Sequence, residues 1–387
     1  MIEGIAELPL HEGAVPEWIL RRMRRLAKAI VAVLIDEYGA DELVRRLMNP
    51  IWFQCFNNVI GMDWDSSGST TVTMGILKEI SWSRDYGFLI LGGKGGRARR
   101  VPEEVPQATR RLGLGDEAAG FLEKASRIAA KVDTCLLQAG YTLYHHNLIV
   151  TESGLWGVIQ QGMNLDLMVA RRYHWLSPRN LTLEPHKDVL GVKHREALNL
   201  VDRESVEARK TILDLAVEKP SYIKKLVAEA RRVERGVKSI TEYCGFKPEL
   251  SVKSIPVIYR PVPPPEHIER VMEKLRSNPP ESIDELILRR SVGPSVVRAL
   301  ALIADLIYNA RPSRRDPVTS PLNPLIYAYA VGGKDGVPYP FNAGVADEAI
   351  RVLEEAIDKS RVDWFEKRLA LKRLARAARR VLGGASP

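Results

Sequence analysis

Residues 141–161, YTLYHHNLIVTESGLWGVIQQ, carry the strand pattern from which the fold of the N-terminal half follows. Two runs rich in β-branched and aromatic residues, 141–150 and 155–161, are separated by the four residues Thr-Glu-Ser-Gly. Polar side chains at the start of such a connection and a glycine at its end are typical of a tight reversal. This stretch therefore predicts a β-hairpin.

Further helices and strands are predicted on the N-terminal side of the hairpin. Apolar residues at three-to-four spacing predict helices over residues 16–38 and 117–139. The runs 70–80 and 88–91 read as strands because each is apolar or β-branched and ends in polar residues or glycine. We therefore expect an α+β, or mixed α/β, catalytic domain over residues 1–195.

The second half of the chain is predicted to be helical. A charged helical stretch broken at Pro220 is followed by Pro-Val-Pro-Pro-Pro at 261–265, which neither a helix nor a central strand tolerates. We expect a helical bridge and linker over residues 196–265 and an all-α domain over 266–387. The helices expected in this half cover residues 203–236, 266–277, 282–290, 294–309 and 346–382.

The composition is that of a globular protein with a surplus of basic residues. Of 387 residues, 45% are hydrophobic and 27% are charged, which excludes general disorder. No run reaches the roughly 18 apolar residues of a membrane span, and the first residues lack a signal-peptide pattern, so we expect a cytoplasmic protein. The net charge of +9 favours a polyanionic partner such as nucleic acid.

Residues 283–300, IDELILRRSVGPSVVRAL, resemble a helix–hairpin–helix element. In that element the amides of the turn and of the second helix bind a backbone phosphate of DNA without reading its bases. Pro294 suits the first position of the second helix, whereas Ser291 stands where glycine is usual. The residues expected to contact DNA are Arg289, Arg290, Ser291, Gly293, Ser295, Arg298, Arg314 and Arg315.

The same region raises an alternative, a DNA glycosylase. Base-excision enzymes with this hairpin place a catalytic aspartate a short way beyond the second helix, where Asp316 stands here. The lysine that bifunctional members carry just after the hairpin glycine corresponds to Ser295. Asp316 precedes a proline, which also suits an ordinary turn.

Carboxylates in the N-terminal half suggest a metal site. Asp63 and Asp65 are two residues apart in an extended segment, so both could face one hard divalent cation, with Asp133 as a further ligand. Turn and helix-capping roles for the two aspartates are the alternative. We expect the cation to be Mg²⁺ or Mn²⁺.

Basic and histidine side chains are expected to complete that site. Glycines on both sides of Lys94 allow the backbone to approach a phosphate closely, although the pattern is not a Walker motif. Lys94 and Lys131 would neutralise the scissile phosphate. His145 and His146 lie on opposite sides of a strand, so at most one of them would position or deprotonate water.

Eight short motifs resemble the uncharacterised family catalogued as domain of unknown function 763. The resemblance implies a largely archaeal family with many thermophilic members, and it implies no chemistry. The motifs are Pro9-Leu10-His11, Trp52-Phe53-Gln54, Asp63-Trp64-Asp65-Ser66-Ser67-Gly68, Gly92-Gly93-Lys94-Gly95, Tyr144-His145-His146, Gln160-Gln161-Gly162-Met163-Asn164, Arg171-Arg172-Tyr173-His174-Trp175-Leu176 and Gly332-Gly333-Lys334-Asp335-Gly336.

The function expected from the residues is metal-dependent phosphodiester hydrolysis of single-stranded or branched DNA, as in DNA repair. Catalysis would involve Asp63, Asp65, Lys94, Lys131, Asp133 and one of the two adjacent histidines. One alternative is a non-catalytic DNA-binding scaffold whose N-terminal domain forms a homodimer. The other is the glycosylase that uses Asp316.

Overall fold

An antiparallel five-stranded sheet organises the molecule. The computed structural model describes residues 8–10, 15–63, 66–234, 261–319, 333 and 340–358. The sheet has the strand order β1-β3-β4-β5-β6, and a short pair, β2 with β7, lies outside it. The strands are β1 (Phe88–Lys94), β2 (Leu137–Gln138), β3 (Thr142–Thr151), β4 (Trp156–Asn164), β5 (Val169–Leu176), β6 (His186–Leu190) and β7 (Leu198–Asn199).

Helices cover both faces of the sheet. Those of the N-terminal half are α1 (Glu17–Leu47), α2 (Pro50–Ile60), α3 (Ser67–Ser83), α4 (Val101–Arg111) and α5 (Asp116–Lys131). Those that follow are α6 (Val206–Val217), α7 (Pro220–Glu234), α8 (Pro265–Ser277), α9 (Ile283–Leu288), α10 (Pro294–Tyr308) and α11 (Ala343–Asp358). None of the described helices is both long and apolar enough to cross a bilayer.

The predicted hairpin is confirmed as β3 and β4. Val150 pairs with Trp156, and the reversal between the strands ends at Gly154, whose φ of 84° is in the left-handed region that glycine tolerates best. Thr151 and Ser153 donate hydrogen bonds to Asp41 of α1, each at 2.7 Å. The turn is therefore fixed both by its own residues and by a distant helix.

The prediction of a strand over residues 70–80 is wrong, because this segment belongs to α3. Its β-branched residues favour a strand by propensity, but propensity yields to packing. Ser66 caps the helix by accepting a hydrogen bond from the Ser69 amide. Thr73, Leu77 and Ile80 are buried at helical spacing, so the packing of this face determines the helix.

The helix predicted over residues 117–139 is too long. α5 ends at Lys131, and the chain continues through one π-helical turn, Val132–Leu136, into β2. This turn faces Asp133 inward, and its side chain is almost completely buried. The π-helical turn therefore determines the position of the Asp133 carboxylate.

Two apolar clusters define a front face and a back face of the sheet. On the front face, Ile90, Ile149 and Ile159 pack with α1, α2 and α3. On the back face, Leu91 and Val158 pack with α4, α5 and the helices from α6 to α10. Residues 261–310 thus share one apolar cluster with the sheet.

The helices predicted in the second half are confirmed where the structure describes them. Pro220 begins α7, as expected from its position in the sequence. The helix predicted over 346–382 is described as α11 only to Asp358, and the rest of it lies outside the described residues. Most of the predicted linker, residues 235–260, also lies outside them, and the division into three domains stays a prediction.

Candidate functional site

A row of four polar side chains crosses the front face of the sheet. Lys94 of β1 is in register with His145 of β3, His145 with Gln161 of β4, and Gln161 with Arg172 of β5. Residues in register on adjacent strands project to the same face about 5 Å apart. We call these four residues the polar row.

The polar row passes from the surface to the interior. Lys94 is exposed, His145 is 1% exposed, and Gln161 and Arg172 are completely buried. Burying polar groups costs free energy unless hydrogen bonds compensate for the lost water. The hydrogen bonds of these side chains therefore show how far the cost of burying them is offset.

The inner end of the row is held by the first turn of α3 and by α2. Arg172 donates to Thr70 Oγ1 at 3.2 Å and to Gln54 Oε1 at 3.5 Å, and its guanidinium lies 4.6 Å from the centre of the Phe53 ring. Gln161 donates to the Ser67 carbonyl at 3.0 Å and to the Tyr144 hydroxyl.

His145, in the middle of the row, has no hydrogen-bond partner for either ring nitrogen among the described residues. Burial and the neighbouring His146 lower the pKa of His145 to about 3, so the ring is neutral at pH 7. One atom each of Gln161 (Oε1) and His174 (Nδ1) is likewise buried without a partner in the described part of the chain. In native proteins, ordered water or a bound group is one way in which such atoms obtain a hydrogen bond.

Asp63 is buried beside the polar row, in the loop between α2 and α3. Its carbonyl accepts a hydrogen bond from Gln54, the same side chain that accepts from Arg172. The cap of α3 is Ser66, so capping of that helix does not explain Asp63. Asp65 lies outside the described residues, as does His11.

The structure places Asp133 and His146 on the back face, away from the polar row. The predicted separation of His145 and His146 is therefore confirmed. His146 lies between Ser126 Oγ at 2.8 Å and Gln160 Oε1 at 2.7 Å. Because the Gln160 oxygen only accepts, His146 donates from Nδ1, and its Nε2 accepts from Ser126.

Asp133 is the end of this back-face network. It accepts hydrogen bonds from the amide of Gln160, from the indole of Trp175 at 3.1 Å and from His186. The structure therefore does not bring Asp133 to Asp63 as a shared metal ligand. Within the described ranges, no three His, Cys, Asp or Glu side chains are grouped closely enough to hold a metal ion.

Lys131 also lies away from the polar row. Its Nζ donates to the carbonyl of Val292, in the turn between α9 and α10, at 2.8 Å. Gln138 donates to the carbonyl of Pro294, the first residue of α10, at 2.9 Å. These two side chains hold the turn against the back-face layer, so the structure does not bring Lys131 to Asp63 and His145.

Most arginines expected to bind DNA near this turn have acidic partners. Arg289 lies near Glu285, Arg314 near Asp305, and Arg315 bonds to Asp202 at 2.9 Å. Arg298 is buried. Arg290 is exposed, and Ser291, Gly293 and Ser295 are half-buried.

Gly293 does not need the conformational freedom of glycine. Its φ is −119°, and a Cβ added there would have no atom within 4 Å. Whether the turn binds phosphate stays a prediction.

Asp316 forms a buried ion pair with Arg171. Its two oxygens accept from the guanidinium at 3.0 and 2.7 Å, and the amide of His194 adds a third hydrogen bond at 2.7 Å. Both oxygens therefore have structural partners. This arrangement counts against activation of water or a base-excision nucleophile by Asp316.

A basic run follows the exposed end of the polar row. Lys94, Arg97, Arg99 and Arg100 are exposed on and after the end of β1, and no carboxylate of a described residue lies within ion-pair distance of any of them. Gly92 permits the close packing behind this run, because a Cβ there would lie 2.2 Å from the His146 carbonyl oxygen. We call these four residues the basic run.

Sequence reasoning had missed several residues of the site. Once the register of β3, β4 and β5 is known, strand alternation places Gln161, Arg172 and His174 on the same face as His145. Arg172 and His174 share that face because they are two residues apart on one strand. Gln54 could not be found in this way, since only the packing of α2 brings it to Arg172. His186 is 53 residues from Asp133, and no local pattern links them.

A family model described as a protein of unknown function, DUF763, matches residues 4–341. The chain belongs to the DUF763 family. Most motifs behind that resemblance lie in the elements around the polar row: α2, the loop before α3, the end of β1, and strands β3, β4 and β5. The archaeal distribution implied for DUF763 stays a prediction. No curated protein and no solved structure gives a significant match to the chain.

Proposed function

We propose that this DUF763 protein is a metal-dependent phosphodiesterase that acts on nucleic acid. The observation that carries the proposal is the continuity of the basic run with the polar row. Lys94 belongs to both, and His145, its partner in register, is buried with no hydrogen-bond partner for either ring nitrogen among the described residues. A backbone bound along the basic run would have one phosphate at the mouth of a polar, partly unsatisfied site.

The basic run would supply the affinity for nucleic acid. Exposed cations without acidic partners exchange their counterions for phosphates, whereas paired cations must first lose a partner. The net charge of +9 adds long-range attraction of the same sign. Backbone recognition of this kind gives little sequence preference.

Asp63 and Asp65 would hold the cation, Mg²⁺ or Mn²⁺, since hard divalent ions prefer carboxylate oxygens. The cation would polarise the phosphate and lower the pKa of bound water. His145 would orient that water through a free ring nitrogen, and Lys94 would neutralise the phosphate. Asp133 lies on the back face and has no part in this proposal. The preference for single-stranded or branched DNA is the one expected from the sequence.

Cleavage of labelled oligonucleotides tests the proposal. Single-stranded, duplex and branched DNA, and single-stranded RNA, are incubated with Mg²⁺, Mn²⁺ or EDTA. We expect metal-dependent products with the wild-type protein and a rate at least roughly 100-fold lower with Asp63→Asn. Asp116→Asn, an exposed aspartate at the start of α5, is the matched control and should cleave normally. No cleavage of any substrate by the wild type would overturn the proposal.

The second candidate is a nucleic-acid-binding protein without catalysis, which the basic run alone would support. Replacing Arg97, Arg99 and Arg100 by alanine should reduce the salt dependence of single-strand binding by about 2 in the slope of log K against log salt. Arg314→Ala with Arg315→Ala is the paired-arginine control and should change that slope little. Binding that obeys this pattern without cleavage would favour the second candidate, and an unchanged slope in the triple variant would exclude the basic run.

A further inference from the structure

A second polar site lies beside β6, on the other side of the sheet from the polar row. A cleft of about 360 Å³ is bounded by β6, by the loop that contains Lys193 and by the segment 315–319. None of its residues takes part in the proposed phosphodiesterase. The polar side chains that matter below are His186, Asp188, Lys193, Arg315 and Thr319.

His186 is held from behind by the buried carboxylate of Asp133. Its Nε2 donates to one oxygen of Asp133, and the other oxygen accepts from Trp175 and Gln160. An ionised carboxylate only accepts hydrogen bonds, so His186 carries the proton on Nε2 where it meets Asp133. The Nδ1 atom is then the acceptor that His186 offers to the cleft.

Aromatic neighbours fix the orientation of this imidazole. The ring centre of His186 lies 5.1 Å from that of Trp175, at an angle of 72°, and 5.8 Å from that of Tyr173. The hydrogen bond to the carboxylate and the two aromatic rings together restrict rotation of the imidazole. The arrangement is a preorganised hydrogen-bond acceptor.

Most other charges of the cleft are already neutralised. Asp316 is paired with Arg171, and Asp202 with Arg315. Lys193 is exposed, and no carboxylate in the described part of the chain lies within ion-pair distance of it. Asp188 accepts from Thr319 through Oδ1 at 3.0 Å, and its register with His174 directs its side chain to the front face.

We propose that this cleft binds a small organic anion that carries a hydroxyl group. Lys193 would bind the anionic group, and the hydroxyl would donate to His186 Nδ1. Val189, Val201 and Val318 give the same cleft an apolar wall for a carbon skeleton. A phosphate ester and a hydroxy acid share this chemistry, and the experiment separates them.

Calorimetry in EDTA, with no divalent cation, tests the cleft independently of the phosphodiesterase. The probes are glycerol 3-phosphate, methyl phosphate and glycerol, with lactate and acetate as the carboxylate pair. We expect the hydroxylated member of one anion pair to bind at least about tenfold more tightly than its partner, and glycerol not to bind. The proposal would be overturned if the two members of each pair bound equally. It would also be overturned if no anion bound at a ligand concentration of 20 mM, which is on the order of the dissociation constant of the weakest specific sites.

Variants assign the two parts of the ligand. Lys193→Ala should weaken binding of both members of the preferred pair about equally. His186→Gln should remove the advantage of the hydroxylated member and leave the other unchanged. Lys187→Ala, on the same strand but outside the lining, is the control and should behave as the wild type. If His186→Gln still bound the hydroxylated member more tightly, His186 would not be the acceptor of the ligand hydroxyl.

Labelling of the wild-type protein requires no variant to fold. Diethyl pyrocarbonate modifies accessible neutral imidazoles, and mass spectrometry of the digested protein reports each histidine separately. We expect His186 to react and the buried His145, His146 and His174 to be protected, with His186 protected in turn by the probe that binds. An unreactive His186 would mean that the cleft is closed to small molecules.

Discussion

The two faces of the central sheet carry the same three residue types at adjacent positions and use them differently. His146, Gln160 and Arg171 face the back, where each has protein partners: Ser126 and Gln160, Asp133 and the Ala129 carbonyl, and Asp316. His145, Gln161 and Arg172 face the front in the polar row. There, both nitrogens of His145 and the side-chain oxygen of Gln161 have no partner among the described residues.

This difference is the one expected between a structural network on the back face and the proposed binding site on the front face. Back-face groups that have several protein partners stabilise the fold, because removing one leaves its partners buried and unsatisfied. Front-face atoms without a partner among the described residues contribute little to stability, because no protein hydrogen bond offsets the free energy of burying them. The comparison therefore predicts opposite consequences for equivalent substitutions on the two faces.

The largest effect on stability is expected for Arg171→Met on the back face. Asp316 would remain buried without its cation, which costs about 3–5 kcal/mol in the free energy of unfolding. Adding Asp316→Asn to the same protein should recover part of that loss, because the uncompensated charge is removed. Chemical denaturation of both variants measures the difference. A loss below about 1 kcal/mol for the single variant would mean that the pair is not buried as the structure has it.

A smaller effect is expected from exchanging the adjacent histidines for phenylalanine one at a time. His146→Phe leaves Ser126 and Gln160 without their partner and should lower the free energy of unfolding by about 2–4 kcal/mol. His145→Phe removes nitrogens that have no described partner, so stability should stay within about 1 kcal/mol, while nucleic-acid cleavage is lost.

Denaturation and the oligonucleotide assay together decide this pair. The front and back assignments would be reversed if His145→Phe were the less stable protein. If both variants kept full cleavage, the polar row would have no part in catalysis.

The smallest effect per residue is expected from pH. Burial lowers the pKa of His145, His146 and His174 in the folded protein, while the unfolded chain keeps values near 6.5. Below pH 6.5 the unfolded state therefore binds more protons, and stability falls as the pH decreases. Each histidine contributes at most about 1.4 kcal/mol per pH unit.

Denaturation midpoints between pH 7.5 and pH 5 measure that slope. His146→Phe and His145→Phe should each make it shallower by up to one proton, so the two faces behave alike here. A slope equal to that of the wild type in His146→Phe would mean that this ring is already charged in the folded protein.

A good part of the fold could be predicted from local pattern. The hairpin of β3 and β4, the first strand and most helices follow from alternation, three-to-four spacing, glycine and proline. Residues 70–80 could not be assigned in this way, because their β-branched residues favour a strand and only packing against the front face selects α3. The end of α5 at Lys131 likewise depends on a π-helical turn that places Asp133 in the interior.

The candidate site, like the fold, was determined partly by local sequence and partly by tertiary packing. The chain itself determined that His145 and His146 lie on opposite faces, because successive side chains of a strand alternate. Only the tertiary structure decided which face was satisfied and which was not, since the partners come from distant segments: Asp316 lies 145 residues from Arg171, and Gln54 lies 118 from Arg172. It also decided which cations are paired: Arg289, Arg314 and Arg315 lie beside acids, whereas Arg97, Arg99 and Arg100 have no acid within ion-pair distance among the described residues. Covalent geometry sets the direction of a side chain, whereas its partner depends on how the whole chain packs.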